Sequence, residues 1–175
     1  MVKIICDRFS KIIKNKSSLE KNLSIKISNK GREINIYGKP EDEYVAEAVI
    51  SAIEFGFPIS KAIMIKSMGY MFGSINIKDY TKRKNLNIIR GRIIGKRGKV
   101  LRTLCTLTDC FFEIKENKVG IIGDPDNIKN AQEAIISLIK GAKHSNVYSY
   151  LEKHRVQPVF DFGLKEKSKR YSTHE

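Results

Sequence analysis

The chain has 175 residues, 41% of them hydrophobic and 30% charged, with a formal charge of +14 and a pI near 9.7. That length bounds it to one domain or two small ones, the apolar content excludes a disordered chain, and the charge asks for a polyanionic partner. Cys6, Cys105 and Cys110 lack metal-ligand spacing and read as reduced thiols of a cytoplasmic protein, while no signal-peptide pattern or run near the ~20 apolar residues of a membrane span is evident.

In chain order, Val2 to Cys6 reads as a short strand, and Ile25–Ile27 and Glu33–Ile36 alternate as half-buried strands about the turn Asn29-Lys30-Gly31. Gly38-Lys39-Pro40 followed by three acids opens a helix with Val45, Val49, Ala52 and Ile53 on one face, closed by Gly56 and Pro58. Ile59 to Ile75 reads as a further helical stretch and Asn76 to Asn85 as a basic linker. A second round is expected from a strand at Leu86–Ile89, two short helices parted by Gly95-Lys96-Arg97-Gly98, and strands at Phe111–Ile114 and Lys118–Ile122. Gly123-Asp124-Pro125-Asp126 then opens a helix burying Ile128, Ala131, Ala134, Ile135, Leu138 and Ile139. A last helix follows from Ala142 to Glu152, expected to lie across both domains, and the charged end from Leu164 reads as frayed.

The two rounds align without a gap at an offset of 85 residues, which puts Leu19 on Leu104, Gly38 on Gly123, Pro40 on Pro125, Ala46 on Ala131, Ile50 on Ile135 and Gly56 on Gly141. Boundary-setting Gly and Pro recurring at one offset signal duplication. In this register Ser10-Lys11-Ile12-Ile13 faces Gly95–Gly98, so the first copy lacks both glycines. The expected division is 1–75 for a degenerate copy, 76–160 for the copy with the Gly-x-x-Gly loop and its C-terminal helix, and 161–175 for a basic flexible tail.

The loop carries the chemistry. Glycines let backbone N–H groups approach an anion, and the helix that follows adds its N-terminal partial charge and unpaired donors. Between Tyr80 and Thr108 there is no acid but nine basic residues: Lys82, Arg83, Lys84, Arg90, Arg92, Lys96, Arg97, Lys99 and Arg102. A Walker A loop is excluded, since Val100 follows Lys99 and Ile93 stands five before Gly98. The Gly-x-Gly-x-x-Gly dinucleotide fingerprint is excluded because Ile93 follows Arg92. The acids Asp7, Glu41, Asp42, Glu43, Asp124 and Asp126 are mostly helix-start residues, and His144 has no acid, Cys or second His at catalytic spacing. A non-enzymatic binder without cofactor or metal is therefore expected.

Strand–helix–Gly-x-x-Gly–helix–strand–strand–helix is the order of the KH module, whose loop clamps single-stranded RNA. Lys78-Asp79-Tyr80, Ile89 through Gly95, Ile121 through Pro125, and Ala142 through Tyr148 with Leu151-Glu152 resemble the archaeal "partner of NOB one" KH proteins. The resemblance implies an α+β fold of two tandem type I KH domains, the first with a degenerate loop. It also implies a part in small ribosomal subunit assembly, with single-stranded rRNA near the 3′ end of its precursor, the pre-ribosomal small subunit and a PIN-domain endonuclease as partners. Carried over by position, Gly95, Lys96, Arg97 and Gly98 form the phosphate clamp, and Arg90, Arg92, Lys99 and Arg102 line a basic groove. Ile93, Ile94 and Leu101 would seat the bases, and with only Tyr80 among aromatics nearby, stacking is expected to be weak. The alternatives are a scaffold linking translation factors, an initiation factor alpha subunit among them, with weak RNA affinity, and an RNA-processing enzyme carrying a KH module.

Overall fold

Helix boundaries follow the Gly and Pro punctuation. Pro40 and Pro125 each sit in a first turn, where a missing N–H costs nothing, and Asp124 caps the second of these helices by accepting from Asp126 N at 3.1 Å. The computed structural model describes residues 2–7 and 9–155. The first half runs β1 (Val2–Ile5), α1 (Phe9–Lys14), α2 (Lys16–Leu23), β2 (Lys26–Lys30), β3 (Glu33–Tyr37) and α3 (Pro40–Phe55). After α4 (Ile59–Ser67), the second runs β4 (Met71–Asn76), α5 (Leu86–Ile94), α6 (Lys99–Thr108), β5 (Phe111–Lys115), β6 (Lys118–Gly123) and α7 (Pro125–Lys140), then α8 (His144–Lys153). Each half is a three-stranded antiparallel sheet with its last strand in the middle, ordered β1-β3-β2 and β4-β6-β5. The fold is the expected α+β pair of KH units.

The backbone carries the duplication more deeply than the side chains do. Left-handed residues recur at the 85-residue offset: Ser24 (φ 57°) and Asp109 (φ 51°) end α2 and α6, and Gly31 (φ 64°) and Glu116 (φ 53°) open the hairpin turns. Gly56 (φ 144°) and Gly141 (φ 105°) end α3 and α7. The gap-free register breaks upstream of Leu19 and Leu104, however. Leu86–Ile89 is the first turn of α5 and no strand; the strand equivalent to β1 is β4, inside the stretch expected to be helical through Ile75. Two features explain the difference. Gly69 at φ 69° breaks the chain after α4, and Asn85 caps α5 by accepting from Asn87 N at 3.2 Å, which turns β-branched Ile88 and Ile89 into helix. The expected boundary at 75/76 therefore cuts through β4, and the second unit begins at Met71. The expected tail 161–175 lies outside the described residues.

The seam between halves falls on the outer face of the second sheet. Alternation along the strands sends Ile75, Phe112, Ile114, Val119 and Ile121 toward α5–α8, and Phe72, Phe111 and Ile122 toward the first half. Phe55 and Phe57, from the end of α3 and the turn beyond it, meet Phe72 edge-on with ring centroids 5.8 and 6.0 Å away. Lys61 of α4 lies 4.0 Å over the Phe111 ring, and Lys115 Nζ donates to Glu54 O at 3.2 Å. Burying Phe57 alone is worth about 1.5–3 kcal/mol. The last helix does not span both halves as expected: Val147 and Leu151 insert into the second core only.

Gly120 is the tightest point of this seam, since a Cβ there would stand 2.7 Å from Phe55 Cε1 and 2.9 Å from Phe57 Cε2. Gly120→Ala should lower the urea midpoint by the equivalent of about 1–3 kcal/mol through overpacking. An unchanged midpoint would place the aromatic cluster outside the stability of the fold.

Candidate nucleic-acid interface

Helix α5 is anchored by Ile89 and Ile93, both in the second core, and ends where Gly95 N donates to Gly91 O at 2.8 Å. Gly95 takes φ 73°, and a Cβ on it would lie 2.3 Å from Val100 Cγ2 and 2.9 Å from Val100 N. Both conformation and space thus require glycine here. A single 3-10 turn, Lys96–Gly98, follows with Arg97 at φ 53° and Gly98 at φ 74°, closed by Gly98 N donating to Gly95 O at 3.1 Å. Arg102 reaches back from α6 to donate to Arg97 O at 2.9 Å, fixing the loop on the helix it leads into.

This turn delivers the first amides of α6 to an open site with nothing within 4 Å of where a Gly98 Cβ would be. Lys96, Arg97, Lys99 and Arg102 are all exposed around it. The Lys99 amide donates back to Lys96 O, and the positive end of α6 and the exposed cations come together where Gly98 places no side chain, an arrangement suited to an anion.

The other expected site residues divide. Ile94 is 37% exposed beside the loop, and Leu101 is half-buried with one side on the core. Ile93, expected to face bases, is 0% exposed, because the helical period turns it with Ile89 into the core. Arg90 and Arg92 do not line the groove as free cations. Arg90 donates to Glu116 O at 2.9 Å and to the Asn87 side chain, tying α5 to the tip of the β5–β6 hairpin. Arg92 donates to Ala142 O with its Nε enclosed, and His144 Nε2 meets Arg92 O at 3.0 Å, so this pair clasps the end of α5 to the start of α8. Both arginines brace the helix that carries the loop. Sequence reasoning missed Gly91 and Ile88, which lie four and seven residues before Gly95 on its own helix face and are exposed; that spacing was the available signal.

The first copy has no equivalent. Its α1 passes to α2 across Asn15 alone, at φ −114°, with Asn15 N donating to Ile12 O at 3.1 Å and its side-chain amide to Lys11 O at 2.9 Å. Ser10–Ile13, set against the loop by the gap-free register, lies inside α1 with Ile12 fully buried. The missing clamp stands, but its place is Asn15.

No group of three or more His, Cys, Asp or Glu gathers to hold a metal among the described residues. Cys6 and Cys110 are buried as core residues, and burial foremost pushes both thiols up to about 12; burial also raises half-buried Cys105. No helix among the described residues is long and apolar enough to cross a membrane.

Comparison with known proteins places this geometry. Residues 71–156 match the model of the second KH domain of PNO1, described as a eukaryotic-type (type I) KH domain. A KH domain-containing protein of Methanocaldococcus jannaschii is 31% identical over 147 residues, covering 80% of this chain and 65% of that protein. A pre-rRNA-processing protein pno1 of Emericella nidulans is 32% identical over 111 residues, 61% of this chain and 43% of its own length. The chain thus spans less than two thirds of these relatives. Among solved structures, a chain of the a/eIF2alpha–aDim2p–rRNA complex of Pyrococcus horikoshii superposes with a TM-score of 0.79 at 28% identity, covering 88% of this chain and 93% of that one.

The two loop glycines carry different constraints. Gly98→Ala should cost about 1–2 kcal/mol from its left-handed backbone alone. Gly95→Ala should cost more, because Val100 must also move. Chemical denaturation of the two variants checks the order, and a Gly95→Ala protein as stable as Gly98→Ala would contradict the close approach to Val100.

Proposed function

We propose that the chain, similar in residues 71–156 to the second KH domain of PNO1, is a PNO1-like RNA-binding assembly factor of the small ribosomal subunit. It holds single-stranded pre-rRNA through its second KH unit. The observation that carries this reading is the Gly95–Gly98 turn, whose three positive-φ residues open the start of α6 to a phosphate between exposed Lys96, Arg97 and Lys99. Names of relatives support the rRNA precursor as substrate, and the solved complex with rRNA supports direct contact. The proposal extends to strand ends near the 3′ end of the precursor, with the protein presenting them to a PIN-domain endonuclease. An initiation factor alpha subunit is a further candidate partner, supported by the same solved complex.

Mechanistically, backbone amides of the loop and of the first turn of α6 hold the phosphate, and the lysines and arginines neutralise it. Ile94 and the outer side of Leu101 offer an apolar bed for bases. Affinity then comes mainly from phosphates, and base identity is read by shape and edge contacts. The role left to this protein is to hold a strand; no catalytic step is assigned to its side chains.

With four cations on the loop and α6, log Kd for a four-nucleotide strand should change with log salt at a slope of about 3 in magnitude, from ~0.7 per contact. Gly98→Asp, which fills open space and adds a like charge to the phosphate, should abolish binding by fluorescence anisotropy. Lys96→Ala with Arg97→Ala should weaken all sequences alike. Gly98→Asp binding as tightly as the parent, while folded by circular dichroism, would overturn the reading.

A further inference from the structure

The segment that leads into α5 carries Lys82, Arg83 and Lys84, all exposed, and among the described residues none of the three pairs with an acid. Asp79, the nearest acid in sequence, accepts from the Asn76 amide at 3.0 Å on the 3-10 turn Ile77–Tyr80. The segment is also held in place. Ile77 is buried and donates to Asn117 O at 2.8 Å, Thr81 Oγ1 accepts from Arg83 N at 3.3 Å, and Asn85 caps α5. Three unpaired cations are therefore presented at the start of α5, while the Gly-x-x-Gly turn stands at its end.

One face of α5 joins them. Ile88 and Gly91 lie three residues apart on one exposed side of α5, with the C-cap Gly95 four residues further on and Lys84 just ahead of the Asn85 cap. Ile88 is 61% exposed although it is a large apolar residue, and nothing lies within 4 Å of where a Gly91 side chain would begin. The buried face of the helix is spoken for by Ile89 and Ile93, and its flanks by the bracing arginines. What remains open is a shallow track along the nine residues of α5, about 13 Å at 1.5 Å per residue, with cations beyond both ends and apolar surface between them.

The geometry points to this stripe as an extension of the RNA path: a strand clamped at Gly95–Gly98 continues along α5, lays a base on Ile88 over the bare backbone of Gly91, and gives its next phosphates to Lys82, Arg83 and Lys84. A folded protein partner is the less suited occupant, since the segment offers three like charges and a single apolar side chain, a small and strongly polar surface. The inference rests on the proposed clamp and lengthens its footprint beyond the roughly four nucleotides a KH loop holds.

The test compares mixed-sequence single-stranded RNAs of four and about ten nucleotides, on the parent, on Lys82→Ala/Arg83→Ala/Lys84→Ala, on Ile88→Ser and on Gly98→Asp. The side chains of Lys82, Arg83, Lys84 and Ile88 are exposed, so those variants should keep the fold, and circular dichroism checks that Gly98→Asp does. For the longer strand the triple variant should lose on the order of 10- to 100-fold in affinity at about 0.1 M salt, with its salt slope smaller in magnitude by about 2, while the short strand is unaffected. Ile88→Ser should weaken the longer strand with the slope unchanged. If the triple variant binds the longer strand like the parent while Gly98→Asp binds neither, the track is wrong and the clamp stands. Equal loss on both lengths would also overturn the track, merging the segment with the clamp. Should Gly98→Asp bind both lengths like the parent, the clamp itself fails and the track with it.

Discussion

Helix α6 begins against the bare backbone of Gly95, with Val100 so close that no side chain can stand between them. The rest of the site depends on that approach. It turns the chain sharply enough that Lys96 and Arg97 project outward beside the N-terminal end of α6. A β-carbon at position 95 pushes the helix start away, and the cations then surround a surface with fewer donors. Arg102 secures the turn from below by donating to the Arg97 carbonyl, and Arg90 and Arg92 secure the helix before it. Of the basic residues in this region, Arg90, Arg92 and Arg102 hold the architecture and Lys96, Arg97 and Lys99 stand exposed at the turn, although all look alike in sequence.

The two units share one backbone plan and differ in what covers the outer faces of their sheets. The outer face of the second sheet is apolar and covered by Phe55, Phe57 and α4 of the first unit. The outer face of the first sheet carries Lys3, Lys26, Ser28 and Tyr37 and stays open to solvent. The first unit thus acts as a buttress: its third helix and the helix after it close the second core from behind, leaving the loop, α5 and α6 facing outward. Losing the loop at Asn15 costs the first unit nothing in packing, since Leu19 and Leu23 still fill its core.

Much of this was legible because the informative residues are punctuation. Pro40, Pro125, Gly56 and Gly141 report helix ends directly, and the Gly-x-x-Gly turn can be read from two glycines and the charge about them. The failures have physical causes. Ile88-Ile89 carries strand propensity, but the Asn85 cap and the burial of Ile89 and Ile93 on one face overrode it. Met71–Ile75 reads as part of the preceding helix because its two faces are both partly covered, which hides the alternation of a strand. Missing that strand shifted the register, and the shift placed the degenerate loop at Ser10–Ile13 when it is at Asn15. The engagement of Arg90 and Arg92 could not be read at all, since their partners are backbone carbonyls 26 and 50 residues away.

The central claim is that one unit clamps phosphate and the other does not, and residue-resolved NMR titration with a short single-stranded RNA tests it most directly. The account predicts that amide signals from Gly95 to Leu101 move first and furthest, while those from Asn15 to Leu19 stay in place. Large shifts at Asn15–Leu19 with a silent Gly95–Leu101 would contradict it and assign the strand to the first unit.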